Sequence, residues 1–258
     1  MTPIHSAKHA LTRTMNRYKS HPSPYKLVIL DFDGTLFDTL DAITECFKLT
    51  FAALLKDYIP EEAQMHRLIA NGAPLKDTLR QLQPLDSRTD AFDGDVWVKK
   101  YRELYGTCGM ELQKPYPYAR ELLALLKEKG IPAAIVSNKP VSHLQEAMRR
   151  HDMLDLVRED FIIGDPLYKD RKKPDGMGFF QVLVPRLKEA FGRDWLIRNG
   201  SVLMVGDTVT DIEFARNIGA LVCWCRFGRG NKMACEGMQP EFFVDELWDV
   251  RDVVVVSK

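Results

Sequence analysis

Residues 25–39 read YKLVILDFDGTLFDT, and this stretch decides the fold. Its first six residues form a short, nearly continuous apolar run, which is typical of a strand covered on both faces in a parallel sheet. Asp31 and Asp33 follow where that strand should end, and Gly34 lets the backbone turn sharply. Because alternate residues of an extended chain face the same side, we expect the two carboxylates to lie together.

Similar apolar runs recur along the chain, with helical patterns between them. They cover residues 131–136, 161–163, 201–205 and 220–224. Strands that alternate with helices predict an α/β fold with a doubly wound parallel sheet. The functional site of such a fold lies at the carboxyl ends of its strands.

One interval breaks this alternation. Between Thr39 and Pro115 the sequence shows helical patterns and no convincing buried strand. We therefore predict an inserted helical cap over residues 40–115. The catalytic core then comprises residues 25–39 and 116–258, and a basic N-terminal tail occupies residues 1–24.

Composition excludes several classes of protein. The chain has 36 lysines and arginines against 36 aspartates and glutamates, so it lacks the basic surplus of a nucleic-acid binder. No apolar run is long enough to span a membrane, and five scattered cysteines favour a reducing compartment. We expect a cytoplasmic protein with neither a nucleic-acid nor a membrane partner. The first 30 residues contain five bases and no acid, which leaves open either an organelle transit peptide or a solvated tail.

A second acidic pair, Asp207 and Asp211, follows the run at 201–205. Asp207 falls at the strand end, and Asp211 lies one helical turn further on, so both can point to one place. Asp207 alone could be a helix cap. A cap explains neither Gly206 directly before it nor the second aspartate four residues later.

Two non-acidic groups occupy similar positions. Ser137 and Asn138 follow the run at 131–136 and open a helix, where hydroxyl, amide and backbone N–H groups can meet an anion. Lys172 and Lys173 stand just before another helix and can place an ammonium group in the same site. Taken singly, these segments could be a helix cap and a surface loop. Four matching segments together indicate an active site.

In order, the four segments resemble the four motifs of the haloacid dehalogenase superfamily of phosphotransferases. DFDGTLFDT resembles motif I, SNKP motif II, KKPDG motif III and VGDTVTD motif IV. The form of SNKP and KPDG is similar to that of the phosphoglycolate phosphatase branch, although Gly176 replaces a usual proline. The resemblance implies a Rossmann-like core with a helical C1-type cap.

The resemblance also implies catalytic roles. Asp31 would be the nucleophile that forms an aspartyl-phosphate, and Asp33 the general acid and then the general base. Lys173 would offset the repulsion between the attacking carboxylate and the phosphate dianion. Thr35 and the pair Ser137 and Asn138 would donate hydrogen bonds to the phosphoryl oxygens.

The implied cofactor is Mg²⁺. Its ligands would be the Asp31 carboxylate, the Asp33 carbonyl oxygen, Asp207 and water, an oxygen-only set that suits a hard ion. Asp211, supported by Gly206, would hold a metal-bound water or orient Lys173.

The expected activity is hydrolysis of a small phosphorylated metabolite, with 2-phosphoglycolate as the leading substrate. A nucleoside monophosphate, a sugar phosphate or pyrophosphate are alternatives. A non-catalytic interaction module is a further alternative, but every catalytic position holds the expected residue type. In the cap, Gly72 and Lys76 are candidates for contacting a substrate carboxylate, and a plain surface turn is the competing interpretation. The oligomeric state is left open between a monomer and a homodimer.

Overall fold

A computed structural model describes residues 23–56, 58–84, 92–165, 172–193, 195 and 200–255. The N-terminal tail up to residue 22 lies outside the described residues. In the described part no helix is both long enough and apolar enough to cross a lipid bilayer.

The strands of the described residues include a core sheet and a short ribbon. In chain order they are β1 (Leu27–Leu30), β2 (Phe37–Asp38), β3 (Lys114–Pro115), β4 (Ala133–Pro140), β5 (Ile162–Asp165), β6 (Val202–Gly206), β7 (Leu221–Cys225) and β8 (Phe242–Val244). Six of them form the core sheet in the order β5-β4-β1-β6-β7-β8, and every pairing in it is parallel. The predicted α/β class with a parallel sheet is confirmed.

Helices separate these strands. They are α1 (Leu40–Leu54), α2 (Glu62–Ala70), α3 (Leu75–Gln81), α4 (Gly94–Leu104), α5 (Ala119–Glu128), α6 (Val141–Arg150), α7 (Val184–Phe191), α8 (Val209–Ile218), α9 (Lys232–Gly237) and α10 (Val250–Val254). Shorter helical turns lie at Tyr105–Gly109, Met110–Leu112, Leu154–Leu156, Glu159–Phe161, Gly178–Leu183 and Leu247–Asp249. Helix α4 begins at Gly94, where the Asp93 side chain caps it by accepting hydrogen bonds from the backbone N–H groups of Asp95 and Val96.

The chain winds outward from β1 in both directions. Strand β1 lies between β4 and β6, and all four of its residues are buried, as its apolar sequence predicts. The strand order changes direction here, which is where α/β sheets form their ligand crevices. The edge strand β8 was not predicted because it contains only three residues, Phe242, Phe243 and Val244, and because one of them, Phe243, is exposed.

Helices α1 to α4 form the insertion, which is joined to the core by the ribbon of β2 and β3. In this ribbon Phe37 pairs with Pro115 and Asp38 with Lys114, in antiparallel register. The helices pack through aromatic contacts, with ring centroids 4.7 Å apart for Phe51 and Trp97. The described part of the insertion contains no strand between β2 and β3. Its status as a separate cap domain, and the limits 40–115, stay predictions.

Candidate active site

The three acidic positions at the ends of β1 and β6 form one buried cluster. Leu30 of β1 is in register with Val205 of β6, so the residues that follow these strands emerge side by side. One carboxylate oxygen from each of Asp31, Asp207 and Asp211 lies within 4.8 Å of the others. All three residues are buried.

Lys173 is the buried cation of this cluster. Its Nζ lies 2.5 Å from Asp31 Oδ1 and 2.6 Å from Asp211 Oδ1. Burial alone would lower the pKa of Lys173, but the charges of Asp211 and Asp31 outweigh it and raise that pKa, so the ammonium group stays protonated. Burial and the charge of Asp211 raise the pKa of Asp31 well above its usual range, although Lys173 opposes this.

Asp211 holds Lys173 in place from the first turn of α8. Its Oδ2 accepts hydrogen bonds from the backbone N–H of Thr208 at 3.0 Å, from Thr208 Oγ1 at 2.8 Å and from the backbone N–H of Asp207 at 3.2 Å. With its other oxygen on Lys173, this carboxylate orients the lysine, which is one of the two roles that the resemblance implied. A side chain at Gly206 would overlap Asp211, so that position requires glycine.

The Asp207 carboxylate is held by backbone N–H groups of a neighbouring loop. Its Oδ2 accepts hydrogen bonds from the N–H groups of Arg229 at 2.7 Å and Gly230 at 3.1 Å. Gly34 has a positive φ of 79°, and a side chain there or at Gly228 would overlap the Asp207 carboxylate. Burial and the charge of Asp211 raise the pKa of Asp207 to about 7, against the effect of the two N–H donors.

Two residues expected to bind the phosphoryl group have other partners. The Asn138 side chain accepts from the backbone N–H of Lys173 at 2.8 Å and donates to its carbonyl oxygen at 3.2 Å, so it fixes the lysine loop. Thr35 is fully buried and donates to Asp207 Oδ1 at 3.4 Å, a long contact. Both side chains therefore contact other site residues, and the phosphate contacts expected for them stay predictions. Ser137 is buried at the end of β4 and lines the cavity.

Asp33 has a partner that the sequence reasoning did not assign. Lys139 Nζ lies 2.6 Å from Asp33 Oδ1, and this ammonium also sits 4.1 Å from the centroid of the Tyr105 ring. The Lys139 side chain is nearly buried, whereas that of Asp33 is 29% exposed. The available signal was the lysine directly after Ser137 and Asn138 at the end of β4.

A cavity of about 210 Å³ lies between the strand ends and the insertion. The core contributes Asp31, Asp33, Ser137, Asn138, Lys139, Lys172, Lys173, Asp207 and Asp211 to its lining. Across from them, Gly72 and the turn that follows it line the cavity from the insertion. Contact of Gly72 with a substrate carboxylate stays a prediction.

Lys76 does not take the predicted position. Its Nζ lies 2.8 Å from Asp95 Oδ1, its side chain is half exposed, and it is not part of the cavity lining. The Gly-Pro turn runs directly into α3, which carries Lys76 outward to α4 rather than inward to the site.

Sequence reasoning also missed three basic side chains that line the cavity. They are Arg102, His143 and Arg229. Arg229 Nη2 pairs with Asp38 Oδ2 at 2.8 Å, which links the loop around Asp207 to the ribbon. Burial, together with the charges of Lys139 and Arg102, lowers the pKa of His143 to about 4, so this imidazole is neutral at neutral pH. Periodicity carried no signal for these three because their positions depend on tertiary packing.

Comparison with known proteins identifies the class. The family model of haloacid dehalogenase-like hydrolases matches residues 25–219, and the chain therefore belongs to this family. Among its curated relatives are the phosphoglycolate phosphatases of Vibrio parahaemolyticus and Haemophilus influenzae. The first is 25% identical over 240 residues, covering 90% of this chain and 97% of the relative. The second is 26% identical over 226 residues, covering 86% and 95%.

Solved structures agree in fold. A predicted phosphoglycolate phosphatase from Haemophilus somnus superimposes with a TM-score of 0.74 at 22% identity, covering 90% of this chain and 98% of that one. A family IA hydrolase from Entamoeba histolytica gives a TM-score of 0.71 at 18% identity, covering 89% and 97%. The expected family, its phosphoglycolate phosphatase-like branch and the class of phosphoric monoester hydrolase are confirmed.

Proposed function

We propose that the chain is a Mg²⁺-dependent phosphatase that hydrolyses 2-phosphoglycolate to glycolate and phosphate through an aspartyl-phosphate on Asp31. The observation that carries the proposal is the buried contact of Lys173 with both Asp31 and Asp211 on the floor of a small cavity. The choice of substrate is supported by the names of the relatives, several of which are phosphoglycolate phosphatases.

The carboxylate cluster fits a magnesium ion. Three buried carboxylates surround one ammonium group, so negative charge is in excess. Burial, together with the charge of Asp211, raises the pKa values of Asp31 and Asp207. Oxygen donors without nitrogen or sulfur suit a hard cation. Asp31 and Asp207 would hold the ion together with the Asp33 carbonyl oxygen, because both carboxylate oxygens of Asp211 are engaged, one by Lys173 and the other by Thr208. When bound, Mg²⁺ would neutralise charge on the phosphoryl oxygens and on the attacking carboxylate.

The residues of the chain divide the chemistry between them. Asp31 attacks phosphorus, a bond forms between its carboxylate oxygen and phosphorus, and the bond from phosphorus to the substrate oxygen breaks. Lys173 lies 2.5 Å from the nucleophile and reduces its repulsion from the phosphate. Asp33, which also lines the cavity, gives its proton to the departing alkoxide of glycolate.

The second half of the reaction returns the enzyme to its starting state. Asp33, now a carboxylate, takes a proton from water as the water oxygen attacks phosphorus of the aspartyl-phosphate. The bond between phosphorus and Asp31 breaks, which releases inorganic phosphate and restores the Asp31 carboxylate. The 2.6 Å contact between Asp33 and Lys139 must loosen when Asp33 is protonated, so it forms in the steps in which Asp33 is a carboxylate.

The experiment is phosphate release from a panel of substrates, with and without Mg²⁺. The panel contains 2-phosphoglycolate, a nucleoside monophosphate, a sugar phosphate and pyrophosphate. We expect the highest kcat/KM for 2-phosphoglycolate and no turnover in excess chelator. The variant Asp207→Ala should need far more Mg²⁺ or lose activity, since it removes an anionic ligand. Full turnover in chelator would refute the metal, and a better substrate elsewhere in the panel would refute 2-phosphoglycolate.

We also propose a cytoplasmic location and a small phosphorylated metabolite as the binding partner, for a monomer or a homodimer. All five cysteines are free thiols, two of them buried on β7, which is compatible with a reducing compartment. Fractionation of the native host tests the location, and light scattering of the purified chain tests the oligomeric state.

A further inference from the structure

Arg102 on α4 stands out among the residues that line the cavity. Within the described part of the insertion, residues 40–56, 58–84 and 92–113, it is the only charged side chain of the lining. The rest of that lining is apolar, apart from the hydroxyl groups of Thr78, Tyr101 and Tyr105. A single cation in such surroundings is suited to fix the orientation of an anionic ligand.

The charges beside Arg102 are not balanced. Its Nη2 contacts Asp165 at the end of β5, and Lys172 Nζ lies 3.4 Å from the same carboxylate oxygen. Two cations therefore share one carboxylate. The neighbouring His143 adds no charge, because its pKa is lowered to about 4. Among the described residues this side of the cavity carries one positive charge in excess, and one more carboxylate would neutralise it.

Arg102 also has an unused donor. Its Nε is buried and has no hydrogen-bond partner among the described residues. Buried N–H groups are nearly always paired, and an unpaired one costs free energy that an acceptor would recover. The fork of the guanidinium suits a carboxylate, since its donors match the two oxygens.

We propose that Arg102 binds a carboxylate group of the substrate, so that the chain selects phosphate monoesters that carry a second anion. This inference rests on the proposed phosphatase function and names the side chain that sets its specificity. Asp31 and Arg102 line one cavity of about 210 Å³, so a short molecule with phosphate at one end and carboxylate at the other can reach both. Arg102 then takes the role that the sequence reasoning gave to Lys76.

The test compares 2-phosphoglycolate with ethyl phosphate, which lacks the carboxylate. In Arg102→Met we expect the ratio of their kcat/KM values to fall by about 10- to 100-fold, as for loss of one charge-assisted hydrogen bond. Arg102→Lys keeps the charge but not the fork, and should fall between Arg102→Met and the wild type. Lys76→Met removes an exposed cation of the same insertion and should keep the wild-type ratio.

Two further measurements separate substrate contact from a purely structural role. Glycolate should inhibit ethyl phosphate hydrolysis about tenfold less strongly in Arg102→Met than in the wild type. Asp165→Asn removes the negative charge that pairs Arg102 with the core but keeps the guanidinium itself, so it should keep the preference for 2-phosphoglycolate. If Asp165→Asn reproduces the loss seen in Arg102→Met, Arg102 acts only by tying the insertion to the core, and the proposal is overturned.

The outcomes distinguish this inference from the proposed function. If Arg102→Met changes kcat/KM for both substrates by the same factor, or for neither, the carboxylate contact is refuted while phosphatase chemistry stands. The same holds if the wild type shows no preference for 2-phosphoglycolate over ethyl phosphate. If the wild type releases phosphate from neither substrate, the proposed function fails and this inference fails with it.

Discussion

Replacing Lys173 with methionine should both stop turnover and destabilise the fold, because this side chain is the buried cation between Asp31 and Asp211. Its two contacts are 2.5 Å and 2.6 Å long, and all three side chains are shielded from solvent. Removing one partner of a buried ion pair typically costs about 3–5 kcal/mol. In a protein of this size each kcal/mol shifts the unfolding midpoint by about 2–4 °C, so we expect Lys173→Met to melt roughly 6–20 °C lower at pH 8.

The loss should depend on pH. Without Lys173, Asp31 loses the positive charge that opposes the effects of burial and of Asp211, so the pKa of Asp31 in the folded state rises further above the unfolded value. A carboxyl group with a raised pKa in the folded state is destabilising above that pKa and ceases to be so once protonated. The stability difference between Lys173→Met and the wild type should therefore shrink as the pH falls from 8 to 5.

The assay is thermal unfolding followed by circular dichroism, in chelator, at each pH. The matched control is Lys172→Met, since Lys172 is the adjacent residue and its contact with Asp165 is longer, at 3.4 Å, and less buried. That control should lose about 1 kcal/mol or less. If Lys173→Met unfolds at the same temperature as the control at pH 8, the buried ammonium does not hold the carboxylate cluster together, and our reasoning is wrong.

Two further predictions follow from the contacts of single side chains. Asn138→Ala should lower kcat more than it raises KM, because the side chain holds the loop that positions Lys173. A change confined to KM would instead support a direct contact of Asn138 with the phosphate. The pKa of His143 is lowered to about 4 in the folded state. As the pH falls from about 6.5 to 4, the unfolded state therefore binds a proton that the folded state does not, and His143 lowers the stability of the fold. His143→Gln should consequently lose less stability than the wild type between pH 7 and pH 4.5, as measured by urea unfolding; equal losses would show that His143 is not held neutral.

The parallel sheet could be predicted because its strands are continuous apolar runs. The stretches at 201–205 and 220–224 became β6 and β7 within one residue at either end. The ribbon of β2 and β3 could not be predicted, since strands of two residues carry no periodicity.

The site could be predicted in composition but not in all its contacts. Strand ends of a parallel sheet converge on one edge, so the aspartates after β1 and β6 had to meet. Which donor each oxygen receives depends on side-chain placement across the fold, as with Lys139 and Asp33, which are 106 residues apart. The same reason hid Arg102, whose partner Asp165 is 63 residues away.

The central claim is that catalysis passes through a phosphorylated Asp31. Its most direct test is rapid acid quenching of the enzyme during turnover of 2-phosphoglycolate with Mg²⁺, followed by mass spectrometry of the peptide that contains Asp31. We predict one added phosphoryl group on Asp31 during turnover, and neither this adduct nor phosphate release in Asp31→Asn, with deamidation excluded by the same spectra. Phosphate release in the first turnover without the adduct, or a wild-type rate in Asp31→Asn, would contradict the account.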